Sequence, residues 1–202
     1  LVSVAAIAAT LILARSGPVH RVKAVGTLDP VPATTATTLV APTPTLSIPV
    51  ATTLPSSVGV PVAVSIPDIG VSAPVVPVGL VPGSDGIAVP PISDVGWYDL
   101  GPAPGDQGSA ALVGHVDGGG RTGVFWRLRD LAPGDRISVQ FADGSTRMFS
   151  VTGRAEVAKT SLPADLFSRQ GPARLALITC GGSFNYSTGH YVDNVVVVAV
   201  PA

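Results

Sequence analysis

Cys180 is the one cysteine of the chain, and it follows an alternating apolar run, "LALITCGG" (175–182). A free cysteine has two readings. It packs as a small hydrophobe and is among the most buried residue types. As a thiolate it is a strong nucleophile. Nucleophilic work needs a base within reach and donors for the oxyanion that forms when a carbonyl is attacked. The candidate base is His115 in "ALVGHVDGGG", which closes an apparent strand and opens a glycine-rich loop. Gly114 and Gly118–Gly120 beside His115, and Gly181–Gly182 after Cys180, would let backbone and substrate approach closely. Two such strand ends can share one rim of a barrel. A histidine in that place is equally an ordinary polar group until geometry brings it to the thiol. One cysteine makes no internal disulfide, and with three histidines it supplies too few ligands for a usual structural zinc site.

The elements that must hold these residues are strands. "SAALVGH" (109–115), "RISVQF" (136–141), "RMFSVTG" (147–153), "RLALIT" (174–179) and "NVVVVAV" (194–200) have the length and β-branched content of strands. The Asp-Gly pair in "FADGSTRMF" marks a hairpin between two of them. Helical stretches are few, at 124–131 and 162–167. Many short strands joined by turns predict an all-β fold, a closed barrel or a sandwich, over residues 62–202. The 23 Gly and 20 Pro fit that pattern.

Upstream the chain is different material. Residues 1–14, "LVSVAAIAATLILA", are apolar and uncharged, short for a membrane span, and read as a signal core or an anchor. A buried apolar helix is the plainer reading. Arg15, His20, Arg21 and Lys23 follow. Basic residues there favour keeping that side cytoplasmic, which opposes an exported C-terminal part unless more basic residues precede Leu1. Residues 27–61 are rich in Thr, Pro, Ala and Ser and hold no aromatic residue. Such a stretch cannot offset its ordering entropy by burial and reads as a disordered, semi-rigid tether or a plain tail. The expected layout is an anchor or signal over 1–14, a basic stub and linker over 15–61, and a folded domain over 62–202. With 12 Lys+Arg against 13 Asp+Glu the chain lacks the basic stripe of a nucleic-acid binder.

"SIPDIGVSAPVVPVG", "VGWYDLGPAPGDQGSAALVGHVDG", "GVFWRLRDLAPGDRISV" and "LALITCGGSFNYSTGHYVDNVVVVA", in that order, resemble the sortase family over about residues 62–200. "TCGG" with "YVDN" resembles its actinobacterial class F group. The resemblance implies a closed eight-stranded β-barrel with one or two short helices. It implies a membrane-anchored, extracytoplasmic, monomeric cysteine transpeptidase of the hydrolase class. Its partners would be surface proteins carrying an LPXTG-like signal and an amine acceptor on a cell-wall precursor or pilin, with no metal or organic cofactor. By the same resemblance Cys180 is the nucleophile and His115 the acid/base. Thr179 would help place substrate or oxyanion, with Gly181 beside it.

One expected group is missing. Sortases carry an arginine on the last strand, facing the cysteine, as oxyanion stabiliser. Here that strand reads "YVDNVVVVAV", the slot falls near Asn194, and no arginine follows Arg174. Either the Asn194 amide serves, without a positive charge to depress the thiol pKa, or an arginine arrives from elsewhere. Arg121, Arg127 and Arg129 are the candidates, with Arg127 as the alternative to Asn194. The plain readings are a strand-start asparagine bonding its own backbone and a solvated arginine on a short helix. His190 and Tyr191 would wall the substrate groove or form an ordinary loop. Trp97 and Tyr98 read as core. Asp117 would orient the imidazole only if the strand ran on, and the glycines at 118–120 argue against that. Two other functions stay open. One is a different extracytoplasmic cysteine hydrolase, such as an L,D-transpeptidase-like enzyme, whose "SHGC" arrangement is absent. The other is a non-catalytic, surface-tethered binding domain.

Overall fold

The structure, a computed structural model, describes residues 59–202 apart from residue 85, and the backbone of Val25–Gly26. The expected anchor at 1–14 and nearly all of the linker at 15–61 lie outside the described residues. Eight strands follow: β1 (Pro61–Ile66), β2 (Val71–Val78), β3 (Val95–Tyr98), β4 (Ser109–Val113), β5 (Arg136–Phe141), β6 (Thr146–Ala158), β7 (Arg174–Asn185) and β8 (His190–Pro201). They run β6-β8-β7-β4-β3-β2-β1-β5, and β5 pairs back onto β6, so the sheet closes into a barrel. Closure removes the unpaired edges that an open sheet would present. The pairs β4–β7 and β2–β3 are parallel and the others antiparallel. Val25–Gly26 adds a short antiparallel rung on β6, at Arg154 and Gly153.

Alternation in the sequence sets which side chains fill the barrel. Ile137, Val139 and Phe141 of β5 are buried, while Arg136 and Gln140, which alternate with them, face solvent. Val71, Ala73 and Val75 of β2 do the same against Ser72 and Pro74. The interior is completed by Phe149, Leu112, Leu177, Val197 and Phe125. β4 breaks the alternation because every one of its residues is buried. Its outer face, with those of β7 and β8, is covered by a second apolar cluster in which Val113, Ile178, Ala176 and Val196 meet Leu162, Leu166 and Ile87. Strands covered on both faces read as continuous apolar runs, which is why "SAALV" and "LALIT" carry so little polarity.

The two expected helices are single 3-10 turns, at Leu128–Asp130 and Ala164–Phe167, and two more stand at Pro67–Ile69 and Lys159–Ser161. Proline explains the brevity. Pro133 disfavours helical backbone just before it, and Pro163 keeps Leu162 out of the second turn. Three strands run past their expected ends, and β6 does so by continuing from Gly153 to Ala158. β7 continues through Cys180 to Asn185, and β8 begins at His190 rather than Asn194. The Asp-Gly hairpin joins β5 to β6, with the Asp143 carboxylate accepting from the Ser145 N–H at 2.9 Å. Trp97 and Tyr98 are structural: the Trp97 indole donates to the Pro102 carbonyl at 3.0 Å, and Tyr98 packs edge-on against Phe167.

The segment after β4 is held by close backbone contact. The Phe125 N–H donates to the His115 carbonyl at 2.9 Å and the Gly123 N–H to the Val116 carbonyl at 2.8 Å. A Cβ at Gly123 would overlap the His115 carbonyl and press on its Cβ at 2.7 Å. Gly123→Ala is therefore expected to cost about 1–3 kcal/mol of unfolding free energy in a denaturant melt, and to displace the His115 segment.

Candidate active site

Parallel pairing of β4 and β7 puts both C-terminal ends on one rim. The register runs from Ser109 opposite Arg174 to Val113 opposite Ile178. Two residues beyond each end stand His115 and Cys180. The Gly114 N–H donates to the Ile178 carbonyl at 3.2 Å, carrying the ladder one step further. Thr179 then locks the two segments: its hydroxyl, fully buried, donates to the Gly114 carbonyl at 2.8 Å. That hydroxyl is committed away from the rim, so Thr179 holds the His115 segment rather than facing a substrate.

Cys180 and His115 line one cavity of about 370 Å³. Ile92, Val116 and Phe184 give it apolar surface, and Asp117, Arg121, Lys159, His190 and Tyr191 give it polar groups. His190 and Tyr191 thus stand in its wall. A second, shallower groove continues from the cavity past Asp117 and Arg121 to Trp126 and Tyr186. Phe184 is the hinge of its aromatic lining, edge-on to both Tyr186 and Tyr191 at 5.1 Å.

Asp117 belongs to the cavity, against the expectation from the glycines that follow it. They do not end extended structure there: Asp117–Gly118 pairs with Arg121–Thr122 in a small hairpin. The Tyr191 hydroxyl donates to the Asp117 carboxylate at 2.6 Å. That bond, with partial burial, pushes the Tyr191 pKa up to about 12. It also ties the start of β8 to the His115 loop.

Gly181 and Gly182 do not line the cavity. They allow an irregular step in the β7–β8 ladder between Gly181 and Phe184. Gly182 has a φ of +71°, and a Cβ there would overlap the Asp193 carboxylate. The pair shapes the strand behind the thiol and makes no wall.

Asn194 lies directly across the ladder from Cys180. It sits inside β8, not at its start, is 0% exposed, and neither amide atom makes a hydrogen bond among the described residues. It stands under the cavity and is not among the lining residues. Arg127 is not brought to the site. Its guanidinium pairs with Asp130 at 2.9 Å on the outer surface. Arg129 lies over the Trp126 ring at 5.2 Å. Arg121 alone of the three arginines reaches the cavity.

Sequence reasoning missed Lys159. It opens the turn after β6 and lines the cavity with Cys180. Burial pushes the Cys180 thiol above its ordinary value, the Lys159 charge and a side-chain hydrogen bond from Lys159 pull it down, and the Asp117 carboxylate pushes it up. Burial prevails, so the thiol keeps its proton at neutral pH. One signal was present: Lys159 is the one lysine from residue 62 to the end of the chain.

The sequence matches the family described as Sortase domain over residues 64–202. No curated protein matches the chain. Solved structures share its fold. Sortase A from Corynebacterium diphtheriae is 21% identical at a TM-score of 0.54, covering 71% of this chain and 60% of its own. Sortase C1 from Streptococcus agalactiae is 21% identical at 0.55, covering 70% and 66%. Sortase C-1 from Actinomyces oris is 22% identical at 0.51, covering 70% and 72%. The chain therefore spans less than two thirds of the first two structures it resembles. The closed mixed barrel, with Cys180 and His115 on the shared rim of β4 and β7, and the match across most of the chain lead to one conclusion: this chain belongs to the sortase family.

Proposed function

We propose that the chain is a cysteine transpeptidase that cleaves an LPXTG-like sorting signal and passes the acyl group to an amine acceptor. The observation that carries this reading is the meeting of Cys180 and His115 in one cavity. In the first half, the Cys180 sulfur attacks the carbonyl carbon of the Thr–Gly bond, and His115 receives the thiol proton. The His115 imidazolium then gives that proton to the departing glycine amine, leaving a thioester. In the second half an incoming amine gives its proton to His115 and displaces the sulfur. The apolar surface of Ile92, Val116 and Phe184 suits the apolar residues of such a signal. The aromatic groove that continues from the cavity suits an extended chain.

Further parts of the reading rest on the sequence. The "TCGG" and "YVDN" motifs support class F. The apolar run at 1–14 and the tether at 15–61 support an anchor that holds the domain outside the membrane. Surface proteins with the signal and a cell-wall amine acceptor are then the partners, and the enzyme acts as a monomer without a cofactor. One observation favours a second reading, a tethered binding domain: the raised thiol pKa, with no arginine on β8.

Two measurements test the proposal. The full chain is incubated with a panel of fluorogenic LPXTG-type peptides and triglycine, and products are followed by mass. Ligated product is expected, absent in Cys180→Ala and reduced about 10²–10⁴-fold in His115→Ala. No cleavage of any peptide, together with a thiol inert to alkylation, would move the assignment to the binding domain. The pH dependence follows from the raised thiol pKa. A raised acid holds its proton longer, so thiolate, and with it the alkylation rate, should keep rising beyond pH 9.0, the thiol's ordinary value. A plateau below that pH would contradict the assigned burial of Cys180.

A further inference from the structure

The chemistry at Cys180 needs positive charge for the sulfur and for the oxyanion, and β8 carries no arginine or lysine. Along β8, Val192, Asn194 and Val196 alternate on the face that meets Cys180. Asn194 is enclosed beneath the cavity. Arg127 is paired outside it, and Arg129 is stacked on Trp126.

The next strand over supplies a candidate. β8 lies between β7 and β6, and the ladder aligns Cys180 with Asn194 and Asn194 with Val157. β6 ends at Ala158, and Lys159 follows at once in a 3-10 turn. Two strand spacings are about 10 Å, and a lysine's four-carbon stem covers much of that distance. Its side chain lines the same cavity as the thiol and the His115 imidazole. We propose that Lys159 is a catalytic residue that takes the electrostatic role of the absent last-strand arginine, bonding the Cys180 sulfur in the resting enzyme and the oxyanion during acyl transfer. The proposal rests on the reading of Cys180 as the nucleophile.

In the acylation step the Cys180 S–H proton goes to His115, and the sulfur pair forms the C–S bond. The carbonyl π pair moves onto oxygen, and that oxyanion takes a hydrogen bond from the Lys159 ammonium. The pair then returns to carbon, the C–N bond breaks, and the leaving amine takes the proton from the His115 imidazolium. Lys159 keeps all its protons throughout. A lysine is a compact point charge on a flexible stem, so one ammonium can serve sulfur and oxygen in turn.

Other charges face the same place. Asp117 opposes Lys159 at the thiol, from the hairpin side. Asp193, in register with Gly181 and Ala158, competes for the ammonium: burial and Glu156 push its pKa up, and Lys159 pulls it down. Arg121, His115 and His190 complete the charged or titratable groups around the cavity besides Tyr191.

The test is the pH profile of iodoacetamide alkylation of Cys180 in the full chain, with folding followed by circular dichroism. Lys159→Met and Lys159→Gln should each move the profile up by about one pH unit, the effect of removing a close opposite charge. Lys159→Arg, which keeps the charge, should leave it in place, and so should Asn194→Ala. With a cleaved peptide as substrate, Lys159→Met should also lower kcat about 100-fold. Superimposed profiles for the wild type and both neutral Lys159 variants would overturn the proposal. So would a shift produced by Asn194→Ala instead. Alkylation needs no peptide, so its outcome is independent of whether the chain cleaves a sorting signal.

Discussion

The site depends on parallel pairing between two strands that are 65 residues apart at the Thr179–Gly114 bond. Antiparallel neighbours would send β4 and β7 out at opposite ends of the barrel. Parallel ones deliver both chains to one rim, so Cys180 after one and His115 after the other line the same cavity. The ladder alone would stop at Val113 and Ile178. The Gly114 N–H and the Thr179 hydroxyl extend it across the last gap. A buried hydroxyl without a partner costs about 1–3 kcal/mol, so the fold and the placement of His115 favour the same bond. Thr179 acts here as a positioning residue, through the backbone of its neighbour.

Burial and charge pull Cys180 in opposite directions. The covered outer faces of β4, β7 and β8 make the rim apolar, and a desolvated thiol holds its proton. The countering ammonium comes from a turn at the end of β6, and an acid from the hairpin opposes it. Tyr191 moderates that acid by donating to it and joins the two walls of the cavity in doing so. The resulting thiol stands above its ordinary pKa.

Much of this is legible from residue order. Cys180, His115 and the strands before them are readable because a buried strand must be apolar and a reactive end must be punctuated, by glycine in both cases. A groove wall at His190 and Tyr191 follows from the loop before the last strand. The barrel's closure comes from the family resemblance, since strand content alone leaves a sandwich open. What is not legible involves contacts across the fold. Asp117 is misleading in the sequence because three glycines look like the end of a strand, yet glycine also permits a tight hairpin, as Gly119 and Gly120 with φ of +59° and +73° show. Arg127 is a candidate because it follows the His115 loop, but Asp130 lies three residues on and captures it at the surface. Lys159 can be placed only by knowing that β6 and β7 flank β8, which no local pattern states.

Asn194 and Lys159 differ in how far each stands from solvent. Its neighbours on the same face, Val196 and Val198, are apolar and packed in the outer cluster. Asparagine in such a place loses water and gains no bond among the described residues, a cost that valine would avoid. Folds carry such costs where function sets the residue. The amide lies across the ladder from Cys180. A charged side chain enclosed at 0% exposure would cost far more than an amide. An enclosed Asn194 is thus compatible with the barrel only if the charge stands nearer solvent. Lys159, half-buried on the cavity wall, meets that condition.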